Sequence, residues 1–177
     1  MVLVLVMRAA LLDGRIYREI GEEPAAMFRA LGTVIAVAIA FGLGLMFTDF
    51  ESTQDSPIRV FLVASTTMVL GWLLWGTIAY IVGSRALGGQ ATHRMLLRSL
   101  GIAYAPGIVM VLAGAPGVGD PVSALGPLWV LASGMVAIRE TLGHGWFRAL
   151  LPSVAGWFVA MVVLPVVFLG PSVSSGG

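Results

Sequence analysis

The chain has 177 residues, 58% of them hydrophobic and 11% charged. A soluble domain is nearer a quarter charged, and a chain this size has too little polar surface to hide so many apolar side chains from water. The net charge of +1 leaves no basic footprint for a nucleic-acid partner, and the absence of cysteine excludes disulfides, thiolate metal sites and a cysteine nucleophile.

Residues 1–23 mix apolar residues with charges. Arg8, Arg15, Arg18, Glu19 and Glu22 share one broad helical face, and Leu5, Leu12, Ile16 and Ile20 lie largely on the other. That pattern predicts an amphipathic cytoplasmic segment lying in the membrane interface. The alternative is a cytoplasmic helix packed on the protein's own loops. Asp13-Gly14 predicts a break, with Asp13 capping a second short helix. The run Val2 to Met7 is too short for the core of a signal peptide, and Arg8 follows it where a signal peptide has its charge first. The segment is therefore expected to remain in the mature protein.

Five apolar stretches follow, at about 30–47, 60–84, 99–118, 122–138 and 149–170. Each approaches the 20 residues that cross about 30 Å of hydrocarbon. Between them lie an acidic loop, 48–56, a basic segment, 85–98, a Gly- and Pro-rich turn, 114–121, and a charged turn, 139–148. A small polar tail ends the chain. The fourth stretch is the weakest, because a helix beginning at Pro127 would be too short to cross. The expected fold is all-α: a single membrane domain over 1–177, a bundle of five transmembrane helices preceded by the amphipathic segment.

All ten basic residues are arginine. With five spans, Arg8, Arg15, Arg18, Arg29, Arg85, Arg94, Arg98, Arg139 and Arg148 fall on one side and Arg59 on the other. This asymmetry predicts a cytoplasmic N-terminus and an extracytoplasmic C-terminus in a cell (inner) membrane. Arg85, Arg94, Arg98, Arg139 and Arg148 are expected to be interfacial anchors, their charges reaching the headgroups.

No ionisable residue falls inside the spans as drawn, which argues against proton-coupled transport. Gly32, Ala36, Ala40 and Gly44 recur every four residues and predict a helix-packing seam, within the chain or with a partner. Trp72 and Trp75, on one face of the second span, with Trp129 and Trp157, are expected to pack between helices; stacking on a pigment, quinone or lipid is the sharper alternative. His93 and His144 are expected in solvated cytoplasmic turns. Ser65, Thr66, Thr67, Thr77 and Ser133 are hydroxyls with no base beside them. No nucleophile–base set, metalloprotease helix, phosphate loop or dinucleotide fingerprint occurs. No catalytic residue, cofactor or metal is therefore expected, and the chain reads as a non-enzyme.

The lead-in to the third span reads Gly88-Gly89-Gln90-Ala91-Thr92, then Leu96-Leu97, Leu100-Gly101 and Ala103-Tyr104-Ala105-Pro106. With Leu11-Leu12-Asp13, Tyr17, Glu19, Pro24-Ala25-Ala26 and the run Ala137 to Leu142, this order resembles the prokaryotic branch of the Yip family of Rab- and Ypt-interacting membrane proteins. The resemblance implies five spans with a cytoplasmic N-terminus, and a membrane-organising or partner-binding role. The acidic and tyrosine-rich signatures of the eukaryotic trafficking members are missing, so no Rab-like partner carries over. The expected function is a membrane scaffold, one specific form of which is an accessory subunit of a larger respiratory or photosynthetic complex. Its partners would be the lipid bilayer and other integral membrane proteins, in homo- or hetero-oligomers. The alternative is a carrier or channel for an uncharged or lipid-like solute, with Pro106-Gly107 and Pro165 breaking helices around its site.

Overall fold

The computed structural model describes residues 13–46, 56–143 and 145–169. The first twelve residues, the loop 47–55, His144 and the tail 170–177 lie outside them, so the expectations for Leu5, Arg8 and His144 do too. Six helices and no strand occur among the described residues, and five of the helices are long and apolar enough to cross a membrane. This is the architecture of a multi-pass membrane protein.

Helix α1, Gly14–Glu22, starts where expected: the Asp13 carboxylate accepts from Arg15 N (3.2 Å) and caps it. Helix α2 is Ala26–Met46. Helix α3 begins at Pro57, behind the Ser56 cap, and runs as α-helix to Ala79. It continues as a π-helical segment, Tyr80–Ala86, so that it spans 30 residues. Gly88, at φ +75°, turns the chain, and Thr92 caps α4, accepting from Met95 N (3.3 Å). The basic segment expected to be a linker is thus mostly helix.

Helix α4 is α-helical over His93–Ala103 and winds into a 3₁₀ segment, Ala105–Leu112. Pro106 is the cause. It has no N–H for the carbonyl four residues back, and Gly107 N closes on Tyr104 O instead (2.7 Å). The larger rise of the 3₁₀ turn stretches these 20 residues to about 34 Å, against about 30 Å for an α-helix.

Helix α5, Gly119–Leu142, is 24 residues long and passes through Pro127 without stopping. The weakest expected span is therefore long and apolar enough to cross, and it ends at Gly143 (φ +67°). Helix α6, Trp146–Phe158, passes into a π turn, Val159–Val163, and resumes as α-helix over Leu164–Leu169, one continuous span. The π turn lies just before Pro165, where the ladder must loosen around a residue without an N–H.

The core gathers on Trp75 of α3, which is fully buried. A Cβ on Gly134 of α5 would stand 2.2 Å from its Cη2, and one on Gly156 of α6 would stand 2.1 Å from its Cδ1. Tyr104 of α4 lies against the same indole, ring centroids 5.7 Å apart. The other tryptophans divide. Trp72 Nε1 donates to Leu97 O (3.0 Å) and Trp157 Nε1 to Pro127 O (2.8 Å), as interhelical packing requires. Trp129 is 43% exposed on the outer face of α5. Gly156→Ala should destabilise the bundle by about 1–3 kcal/mol, because the indole has nowhere to go. Gly32→Ala should be neutral, since nothing lies within 4 Å of its added carbon. Thermal unfolding in mild detergent compares the two.

Candidate functional site

The polar side chains of the described residues concentrate at one end of the bundle, where α1 docks. Ile16, Tyr17 and Ile20 are buried there with Ile102, Ala103 and Ala105 of the third span and Val136 and Ala137 of α5. The described part of the stripe expected on the membrane interface, Ile16 and Ile20, is thus buried in the protein, nearer the alternative reading but packed on spans where that reading had loops. The reason is complementarity. Gly21 lets α1 approach until an added Cβ would stand 2.9 Å from Ser99 Oγ, and that hydroxyl donates to Tyr17 O (2.8 Å). Thr141 Oγ1 lies 2.8 Å from Ser99 Oγ and 2.7 Å from Ala137 O, its one proton serving either. Arg98 Nη1 donates to Gly21 O (3.1 Å).

Charge closes the same contact. Glu140 is bound by Arg18 across from α1 (2.9 Å) and by its neighbour Arg139. Arg139 in turn lies over the Trp146 ring, 4.2 Å from its centroid. Of the five expected anchors, Arg85, Arg94 and Arg148 are exposed, while Arg98 and Arg139 are drawn into protein contacts. Arg85 also covers the Tyr80 ring at 5.8 Å. Burial pushes the Tyr17 phenol up to about 12; the Ser133 hydroxyl bonded to it opposes the rise and Asp13 adds to it. It stays neutral at any physiological pH, and its docking contribution falls away only as pH rises from 10 toward 12.

His93 is not in a solvated turn. It is the first residue of α4, half-buried, with Nε2 3.2 Å from Thr77 Oγ1 and its ring 5.7 Å from that of Tyr80. No group of three or more His, Asp or Glu able to hold a metal occurs among the described residues. The hydroxyls of Thr67 and Thr77 bond back to carbonyls of their own helix, and Ser65 Oγ donates across to Ala38 O (3.0 Å).

The expected small-residue seam splits in two. Ala40 and Gly44 are buried, and a Cβ on Gly44 would stand 2.0 Å from Met110 O of the 3₁₀ segment. Gly32 and Ala36 are exposed. A four-residue step advances about 40° around a helix of 3.6 residues per turn, so the row winds off the protein-facing side. The internal face of α2 is Ala26, Ala30, Val34, Val37, Ala38, Ala40, Gly42 and Gly44. It crosses α4 where a Cβ on Gly101 would stand 2.6 Å from that of Ala30.

Gly32 and Ala36 instead floor an open groove of about 460 Å³ between α2 and the 3₁₀ half of the third span. Phe28, 83% exposed, and Ile108 form its walls, and Thr33, Val37 and Ala105 complete the lining. Arg29, ion-paired with Glu23, stands at its arginine-rich end. The groove presents apolar surface and a backbone left bare at Gly32; it suits a helix or an acyl chain lying along α2. Sequence reading found Gly32 and Ala36 but missed Phe28 and Ile108, which no spacing connects. It also missed Ser99 and Thr141, whose signal was a hydroxyl near the polar end of each of two spans.

No family model, no curated protein and no solved structure matches this chain. The assignment of function therefore rests on its own geometry.

Ser99→Ala should remove the cross-helix bond to Tyr17 O, leaving it only the donor of its own helix, and loosen α1 by about 0.5–1.5 kcal/mol. Trypsin cleavage at Arg15 or Arg18 should rise severalfold. Glu140→Gln, which breaks a partly exposed pair, should have the smaller effect.

Proposed function

We propose that this protein is a membrane-organising, partner-binding subunit that performs no chemistry of its own, in line with its resemblance to the prokaryotic Yip branch. The observation that carries the reading is the exposed half of the α2 seam. The same four-residue row that is buried at Ala40 and Gly44, where Gly44 closes onto the 3₁₀ segment, continues outward to Gly32 and Ala36, which are exposed, with nothing within 4 Å of a Cβ added at Gly32. Helices in lipid gain little from hiding apolar surface and associate through close backbone approach. A bare backbone flanked by Phe28 and Ile108 supports a transmembrane helix of another subunit as its occupant.

In this reading the arginine-rich end faces the cytoplasm of a cell (inner) membrane and α1 stiffens that end. The partner is another integral membrane protein, and an accessory role in a respiratory or photosynthetic complex is one specific form. The second reading, a carrier for an uncharged or lipid-like solute, is favoured by the irregular turns at Pro106 and before Pro165.

The Gly32→Leu, Ala36→Leu double variant should keep its detergent stability and lose co-purification of its partners from native membranes. Gly44→Leu should fail earlier, at folding. Unchanged partner recovery from the double variant would remove the basis of the proposal. Topology is checked separately: a reporter inserted at Gly89 should read as cytoplasmic and one at Gly117 as extracytoplasmic. A cytoplasmic signal at Gly117 would be incompatible with the proposed orientation.

A further inference from the structure

Toward the end of the bundle opposite α1, a cavity of about 190 Å³ remains between the spans, and all five contribute to its wall. It is separate from the α2 groove and independent of the partner-binding reading. Its lining includes no charged residue. Met68, Met110 and Met161 reach it from three different spans, and Phe41 adds one aromatic ring. Three of the chain's nine methionines thus border one small space. A methionine is flexible and fills gaps, yet this gap persists with three around it.

The polar chemistry at the cavity is acceptor chemistry. Pro127 and Pro165 line it, together with Ser123, four residues before the first, and Ala160, five residues before the second. A proline offers no N–H, so the Ser123 carbonyl lacks its α-helical donor, and the Ala160 carbonyl lacks its donor in the π register, in which Leu164 N–H bonds Val159 O. Thr67 also lines the cavity, and its hydroxyl proton is committed to Val63 O (2.7 Å). Ser123 is exposed and stands at the rim.

An apolar cavity of roughly 150 Å³ stays dry and takes up a ligand the size of benzene. Thioether sulfurs favour the edge of an aromatic ring over a saturated one. A charged ligand would lose its hydration with no counter-charge in the lining. We propose that this cavity binds a single uncharged aromatic ring bearing a hydroxyl, a ligand of the phenol class. The ring sits among the three thioethers and Phe41, and the hydroxyl donates to a carbonyl vacated by proline.

The test uses the full-length protein in detergent with para-fluorophenol, followed by fluorine NMR. The expected result is a bound resonance, distinct from probe dissolved in the micelle, that saturates at one equivalent per chain. Phenol should displace it, and cyclohexanol should do so roughly tenfold less well. Leu45→Trp, which fills the cavity, should abolish the bound resonance. The triple variant Met68→Leu, Met110→Leu, Met161→Leu keeps side-chain volume and so should fold. It should bind para-fluorophenol about tenfold more weakly and lose the preference over cyclohexanol. The proposal is overturned if no saturable resonance appears, or if cyclohexanol competes as well as phenol. It is equally overturned if the triple variant binds as the parent does, which decides the matter even should Leu45→Trp not fold.

Discussion

Two absent side chains hold the bundle together. The Trp75 indole is the largest fully buried group, and it occupies the crossing of α3, α5 and α6 only because Gly134 and Gly156 offer bare backbone on either side. In lipid, burying apolar surface gives little reason for helices to meet, so stability comes from contact made at close range. Around the indole the same device recurs. Gly71 meets Ala160, Gly76 meets Leu97, and Gly83 meets Leu142. These contacts set how far α3 stands from its neighbours. That spacing leaves a cavity at one end of the bundle and room for Tyr104 at the centre.

The two ends of the bundle are built from different chemistry. At the arginine-rich end, α1 turns its apolar face inward and its carbonyls toward Ser99 and Arg98, so polar groups that would otherwise need water are satisfied by protein. Glu140 takes two arginines, one from α1 and one from its own helix. The opposite end has few such contacts among the described residues. There the helices are loosened by Pro106, Pro127 and the π turn before Pro165. A stiffened end beside a proline-interrupted one is a division of labour: one end holds the helices in place and the other has space between them.

Much of this was legible in the sequence, because hydropathy and arginine placement report directly on what a bilayer demands. Five spans, the Asp13 cap and the interhelical roles of Trp72, Trp75 and Trp157 followed from those demands. The boundaries did not. The basic segment after α3 reads as lying between spans from its charge, yet Thr92 starts a helix inside it, and α5 begins at Gly119, well before Pro127. The first is a local cap hidden among arginines; the second depends on tertiary contacts that hold α5 across its proline. The docking of α1 was ambiguous for a similar reason. Ile16 and Ile20 form an apolar stripe that suits lipid and protein equally, and Ser99, which decides between them, lies 82 residues away from its partner Tyr17.

The α2 row illustrates a more general limit on reading spacing as contact. Residues four apart lie near one another, so any two adjacent members share a face. Over three steps the row rotates by about 120°, and its ends face different surroundings. The end at Gly44 meets α4 where Pro106 has already rewound that helix into a 3₁₀ turn, bringing Met110 O against α2. The end at Gly32 meets nothing in the described chain. One sequence pattern therefore serves two purposes, and the boundary between them lies at Val37, where Gly107 of the 3₁₀ segment comes within 2.8 Å of Val37 Cγ1 for an added Cβ. On the Gly44 side of Val37 the small residues of the row let this chain fold on itself. On the Gly32 side they leave the backbone bare, which is the surface the proposed partner helix would meet.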